Sequence, residues 1–172
     1  GYLLLLVTVG LFVWLFAAGQ WSAAERRRLI AILVLFAAAA VFWSLFEQAG
    51  STLNLFAQRS TRNEILGVSF PASWWQSLNS LYIILLVPVM AWLWVRLGPK
   101  DPSSPVKFTF GLLFAALGFG VLALAAQLAA GGVRVSPVWL ALVYLLHTVG
   151  ELCLSPVGLS AMTRLAPARI AG

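Results

Sequence analysis

Glu47 lies within "FWSLFEQAGSTLNLFAQR" and Glu151 within "HTVGELCLSPVGL", each inside a long apolar run. An acid held away from water can load and release a proton or face a cationic group. Proton transfer and ion pairing are therefore the chemistry open to both. Their neighbours recur at helical spacing. Ser44, Glu47, Ser51, Asn54 and Gln58 follow a three-four-three-four pattern that predicts one polar stripe, with Trp43 one turn before Glu47. His147, Glu151, Ser155 and Gly158 share a face in the same way. The plainer reading of either stripe is hydrogen bonding between membrane helices. The functional reading is a proton or substrate site beside a watery cavity.

Proline reinforces the second site. Pro156 has no N–H, so the carbonyl of Leu152 loses its helical partner, and Pro88 does the same to Ile84. A bent helix beside a buried acid is a common way to build a midplane site in a transporter. His147 reads as a packed or hydrogen-bonded residue rather than a metal ligand, because no Cys, His or Asp cluster stands near it at ligand spacing. Cys153 is alone in the chain and reads as a small packing residue. No GxSxG, HExxH or P-loop pattern occurs, and no nucleophile–base pair has usable spacing, so an enzyme is not expected.

The elements that position these groups follow from composition. The chain is 62% hydrophobic and 9% charged, with a mean hydropathy of +0.96. A soluble domain of 172 residues needs more polar surface than that, so the lipid bilayer is the expected solvent. Five runs are long enough to cross a core that takes about 20 helical residues. They are Tyr2 to Gln20, Leu29 to Gln58, Ser73 to Val95, Phe108 to Gly131 and Pro137 to Thr163. None alternates polar and apolar residues as a barrel strand would. The fold class is thus an all-α, polytopic helical bundle. Short segments such as "WSAAERRR" and "RLGPKDPSSPVK" read as loops.

Alternating loops sort the basic residues onto two sides. Arg26, Arg27, Arg28, Arg96, Lys100, Lys107, Arg164 and Arg169 fall on one side, and Arg59, Arg62 and Arg134 on the other. The first group is expected in the cytoplasm. The net charge of +6 is accounted for by this orientation, and no nucleic-acid partner is expected. Glu151 would then stand ~21 Å along its helix from Pro137, near mid-membrane, and Glu47 ~27 Å from Leu29. A charge facing lipid at such depth costs roughly 2.5–3.5 kcal/mol, so neither acid should face lipid. The chain begins at Gly1 rather than methionine, and it reads as an internal piece of a longer protein.

Three motifs, "FWSLFEQAGSTLNLFAQR", "PASWWQSLNSLYIILLVPVMAWLW" and "HTVGELCLSPVGLSAMTRLAPAR", occur in the order seen in the C-terminal half of the proton-dependent oligopeptide transporters. Over residues 25–172 the chain resembles that family, a branch of the major facilitator superfamily. The resemblance implies four helices, seven to ten, of a partial C-terminal bundle. Residues 1–24 resemble a transmembrane helix, with its cytoplasmic loop, inserted between the two six-helix halves of many bacterial members. It further implies that Glu47 couples protons and that Glu151 receives the peptide amino terminus and shares in coupling. Trp43 and Ser155 match residues lining the peptide cavity, and Asn79 matches a helix-eight asparagine that hydrogen-bonds the bound peptide, although Ser80 stands where the family often has proline. Pro156 and Pro88 are the helix-bending positions. The implied function is proton-coupled import of di- and tripeptides by alternating access in a bacterial cytoplasmic membrane. Protons are the coupling ion, with no cofactor or metal. The implied partners are the bilayer and a six-helix N-terminal half of the same chain. A related transporter for another solute, or a helical membrane scaffold, stands as the alternative.

Overall fold

The computed structural model describes residues 2–166. Six α-helices account for most of them: α1 (Tyr2–Ala18), α2 (Ala23–Phe46), α3 (Thr52–Ser60), α4 (Ser77–Leu97), α5 (Ser104–Ala129) and α6 (Pro137–Leu165). In lipid a backbone can satisfy its own polar groups only as a helix or a closed barrel, which is why apolar runs of this length become helices. Among the described residues, four helical stretches are long and apolar enough to cross a membrane: 23–60, 72–100, 104–129 and 137–155. The first helix, α1, is apolar but shorter, at 17 residues. The described residues also include a short hairpin of β1 (Glu64–Ile65) and β2 (Val68–Ser69), turned by Leu66 and Gly67 at positive φ.

Two boundaries differ from the sequence reading. The segment "WSAAERRR" is not a loop throughout, because α2 begins at Ala23 and contains all three arginines. Ser22 and Glu25 form a reciprocal capping box: the Ser22 N–H donates to Glu25 Oε2 at 2.9 Å, and the Glu25 N–H donates to Ser22 Oγ at 3.3 Å. That pair satisfies backbone donors a helix start leaves open. The run from Leu29 to Gln58 is also not one helix. It breaks after Phe46 into a 3-10 turn over Glu47–Gly50, and Ser51 adopts φ −116° and ψ −84° before α3 starts.

The break has a local cause. Gln48 Oε1 accepts from Ser51 Oγ at 3.1 Å and from Thr52 Oγ1 at 2.7 Å. These side chains offer the backbone an alternative to the helical ladder, and Gly50 adds little helix propensity between them. The expected stripe is therefore cut in two. Ser44 and Glu47 belong to the α2 side, while Asn54 and Gln58 belong to a helix with a new phase.

The packing centres on α5 and α6, which make the most extensive helix pair. Two glycines let them close up: a Cβ on Gly150 would stand 2.8 Å from the Gly111 carbonyl oxygen. Around this pair lie two apolar clusters. One joins Leu53, Ala57, Trp75, Leu122, Leu140, Val143 and Tyr144. The other joins Leu35, Phe42, Phe108, Ala115 and Leu154. The first lies toward the loops carrying Arg59, Arg62 and Arg134, where the Arg62 N–H donates to the Val135 carbonyl at 3.0 Å. The second lies toward the end carrying most of the basic residues; of these, Arg169 lies outside the described residues.

Candidate functional site

Between the two clusters the molecule carries its polar residues. The 3-10 turn places Glu47 at the end of α2, where the chain departs from the helix. Glu47, Gly50, Gln76, Asn79, Tyr144 and His147, together with Phe46 and Ala49, border one cavity of about 210 Å³. The break matters here. It sets a carboxylate and the small residues Ala49 and Gly50 opposite α4 and α6, which leaves open space where an unbroken helix would put bulk.

Asn79 links two of the walls. Thr148 Oγ1 on α6 stands 2.7 Å from Asn79 Oδ1 and 2.8 Å from the Tyr144 carbonyl, sharing one proton between two acceptors. The Asn79 amide is also the hydrogen-bonding neighbour of the Glu151 carboxyl. Glu151 is half-buried, and its Oε2 is buried without a partner among the described residues. Asn79 thus touches the helix of Glu151 and borders the cavity of Glu47. A second tie between the same helices comes from Tyr82, whose hydroxyl donates to the Ala141 carbonyl at 3.2 Å.

Several polar atoms in this layer have no partner among the described residues: Asn54 Oδ1, Tyr144 Oη, His147 Nε2 and Glu151 Oε2. Each unmet buried group costs roughly 1–3 kcal/mol, so such a cluster is normally met by water or ligand. Three of the four are on α6 at positions 144, 147 and 151, which share one face.

The predicted site residues are only partly gathered. Glu47 and Asn79 share the cavity, and Glu151 adjoins it through Asn79. Trp43 lies one turn back on α2, 38% exposed, with its ring against Phe42 and Phe46. Ser155 is exposed on α6, one turn beyond Glu151. The face shared by His147, Glu151, Ser155 and Gly158 thus runs from a buried histidine to an exposed serine, and Gly158 meets the Phe108 ring. Helix α4 continues through Pro88, which is exposed. Helix α6 continues through position 156, and the side chain of Pro156 is not among those described.

Sequence reasoning passed over Gln76, Tyr144 and Thr148. It also read His147 as packed without placing it on the cavity. A signal was present: Tyr144, His147, Thr148 and Glu151 are three and four residues apart on an otherwise apolar helix. Cys153 is buried, as a packing residue should be.

The comparisons with known proteins bear on the family and the fold. The PTR2 profile, described as the POT family, matches residues 6–172. A peptide transporter from Yersinia enterocolitica is 49% identical over 94% of this chain and 32% of its own length. A di-/tripeptide transporter from Lactococcus lactis subsp. cremoris is 37% identical over 95% of this chain and 34% of its own. Among solved structures, a peptide transporter POT in complex with sulfate superposes with a TM-score of 0.90 at 45% identity, covering 97% of this chain and 34% of that one. A mutant of a peptide transporter POT in complex with alafosfalin gives the same TM-score at 44% identity, with the same coverage. The chain therefore spans about a third of the length of these relatives. With a profile match over nearly the whole chain, and with its fold shared, the chain belongs to the POT family.

Proposed function

We propose that the chain is one wall of a proton-coupled symporter that imports di- and tripeptides by alternating access across a bacterial cytoplasmic membrane. The observation that carries this reading is the cavity itself. Glu47 and Asn79 border it, and Asn79 reaches the helix of Glu151 through Thr148. Relatives at 49% and 37% identity are described as peptide and di-/tripeptide transporters, which supports the same substrate class.

In this reading Glu151 receives the ammonium of a zwitterionic peptide. At 4 Å and an effective dielectric of 20, that attraction is about 4 kcal/mol before desolvation. Asn79 orients the carboxyl and offers its amide to the peptide. Trp43 and Ser155 extend the lining above and below. Glu47 is the coupling acid, since it sits at a backbone break whose opening and closing changes its access to water. Glu151 takes part in coupling by exchanging proton for ammonium. Pro88 and Pro156 give α4 and α6 places to bend. The partner that completes the cavity is the remainder of the same chain, carrying basic groups for the peptide carboxylate. Protons are the coupling ion.

The test uses the full-length protein in liposomes. Wild type should accumulate a dipeptide against its gradient when a proton gradient is imposed. Glu47→Gln should lose that uphill uptake yet retain exchange of labelled outside peptide for unlabelled inside peptide, where no net proton moves. Glu151→Gln should weaken peptides with a free amino terminus far more than amino-blocked ones. Absence of wild-type uptake would end the peptide reading. Uphill uptake by Glu47→Gln would remove it as the coupling acid.

A further inference from the structure

Helix α1 stands apart from the bundle that builds the candidate site. It takes no part in the extensive helix pairs among the described residues, and most of its large apolar side chains are exposed. It meets α2 through side chains, where the Phe12 and Phe36 rings lie with centroids 5.5 Å apart. At the connecting end Trp21 folds back onto α1. Its Nε1 donates to the Leu15 carbonyl at 2.7 Å, and its indole lies where a Cβ on residue 19 would be. The two helices thus make a splayed hairpin with a slot along its length.

That slot has a volume of about 690 Å³ and is lined by Val9, Phe12, Phe16, Leu33, Phe36 and Ala37, among others. Of all its lining residues Thr8 alone is polar. Along α1 it runs from Leu5 to Ala17, ~18 Å of helix, close to the ~15 Å depth of one leaflet of the hydrocarbon core. Lipid gives two apolar helix faces no reason to close on each other, and an empty gap forfeits dispersion contacts, so the slot calls for an apolar occupant. Its connecting end is strongly basic. Arg26, Arg27 and Arg28 are all exposed there, within one turn of α2. The acid beside them, Glu25, accepts from the Ser22 N–H in the capping box. Arg26 precedes Leu33 by seven residues and Ala37 by eleven, so it shares the face of α2 that lines the slot. Arg28 precedes Leu35 by seven, which puts it on the face that α2 buries in the second apolar cluster.

We propose that the slot between α1 and α2 is a site for an anionic phospholipid, with one acyl chain between the helices and the phosphate on Arg26. The charge pattern selects this occupant. An apolar slot with arginines at one mouth complements an amphiphile with a hydrocarbon tail and a negative head. Depth fits as well. Leu33 lies ~10.5 Å further into the membrane than Arg26, and a long helical side chain leans back toward the start of its own helix. The guanidinium therefore sits at headgroup level while the chain enters the slot at Leu33. Helix α4 makes the contrast. Its Ile84, Leu85 and Val95 are exposed, but Arg96 at its basic end is laid over Trp92, 4.9 Å from the ring centroid. The lipid site goes beyond the transport reading and does not depend on which solute crosses the membrane.

The test uses the full-length protein in phosphatidylcholine vesicles that contain a little phosphatidylglycerol with a photoreactive diazirine in its acyl chain. Adducts are mapped by mass spectrometry, with those on α4 as the internal reference for ordinary lipid contact. Adducts should concentrate on the α1 and α2 residues of the slot. Excess unlabelled phosphatidylglycerol should displace them, and the same amount of phosphatidylcholine should not. Arg26→Gln should lower the slot adducts about fivefold, the worth of one basic residue toward an anionic surface. Arg28→Gln removes the same charge from the other face and should lower them far less. Ala37→Phe keeps all three arginines but fills the slot, and should abolish its adducts while those on α4 persist. If Ala37→Phe does not fold, the contrast between Arg26→Gln and Arg28→Gln decides alone. Equal losses in those two variants would mean diffuse attraction to the membrane surface, and would overturn the site. Adducts spread as densely over α4 as over the slot would overturn it as ordinary lipid contact. Adducts on α4 with none in the slot would overturn it too, as the mark of a slot filled by protein.

Discussion

The two ends of the bundle are held together by different forces. Near the Arg59 end, directional hydrogen bonds join the elements. Asn63 accepts from Trp75 Nε1 at 2.9 Å and donates to the Ala57 carbonyl at 2.9 Å. The Val135 N–H donates to the Ser60 carbonyl at 2.8 Å. Near the basic end, α2 packs on α5 and α6 through Leu35, Phe42, Phe108, Ala115 and Leu154. There α5 and α6 approach through glycine rather than through polar groups. Hydrogen bonds fix register and resist sliding. Dispersion contacts resist separation but tolerate small shifts until bulk intervenes. The break at Glu47–Gly50 falls where one regime gives way to the other. Glu47 is thus tied to neither end as firmly as a residue in the middle of a helix would be.

Overpacking should be the severest way to break the glycine-held end. Gly150→Val places side-chain bulk 2.8 Å from the Gly111 carbonyl oxygen and 3.2–3.3 Å from Phe42 and Phe114. The expected loss is about 3 kcal/mol or more, seen as a large fall in melting temperature of the full-length protein in detergent. A variant that melts like wild type would show that the helices can separate there at little cost.

At the hydrogen-bonded end, Asn63→Ala removes two bonds at once and leaves the part-buried Trp75 indole N–H without its acceptor. A loss of about 2 kcal/mol is expected, with a change in tryptophan fluorescence as the local reporter. If Asn63→Ala cost more than Gly150→Val, the contrast between the ends would be reversed.

The basic end has one polar tie of its own. Lys107 Nζ lies 2.7 Å from Asp101 Oδ2 and 4.3 Å above the Trp94 ring centroid. The lysine side chain is 9% exposed and the aspartate 36%. Solvent screening at the aspartate limits the effect of Asp101→Asn to about 1 kcal/mol, and the effect should shrink in Lys107→Met, which removes the stranded charge. An Asp101→Asn effect as large in Lys107→Met as in wild type would show that the pair is not coupled.

The smallest change is expected at the break. Gln48→Ala deletes the acceptor of Ser51 and Thr52, both exposed, at about 0.5 kcal/mol. Its signature is faster hydrogen exchange confined to residues near 47–52. Exchange that spreads through α3 would show that the break is not an independent element.

Much of this protein was legible in its sequence because the bilayer imposes simple rules. Runs of apolar residues had to become helices, since lipid offers no partner to an open backbone. Glu47 and Glu151 were singled out because a charge is costly in lipid; Glu151 is half-buried, whereas Glu47 is exposed at the end of α2. Asn79 was found through its motif. The ends of helices were less visible. The Ser22–Glu25 capping box was written in the sequence and was absorbed into a supposed loop. The break at Ser51 depended on competition between the Gln48 side chain and the helical ladder, which spacing alone does not settle.

What only the tertiary structure decided is which way each helix faces. Helices α1, α2, α4, α5 and α6 are apolar around most of their circumference, so no amphipathic stripe fixes their rotation. Rotation is set instead by where backbones can approach. Gly111 and Gly150 bring α5 and α6 together, and Gly118 makes the seat on which His147 lies. Asn79 and Thr148 meet across 69 residues of chain. The sequence set two acids and an asparagine within long apolar runs. The gathering of Glu47 and Asn79 with Tyr144 and His147 around one cavity, with Glu151 adjoining through Asn79, follows from helix rotation and close glycine contact, which no local pattern encodes.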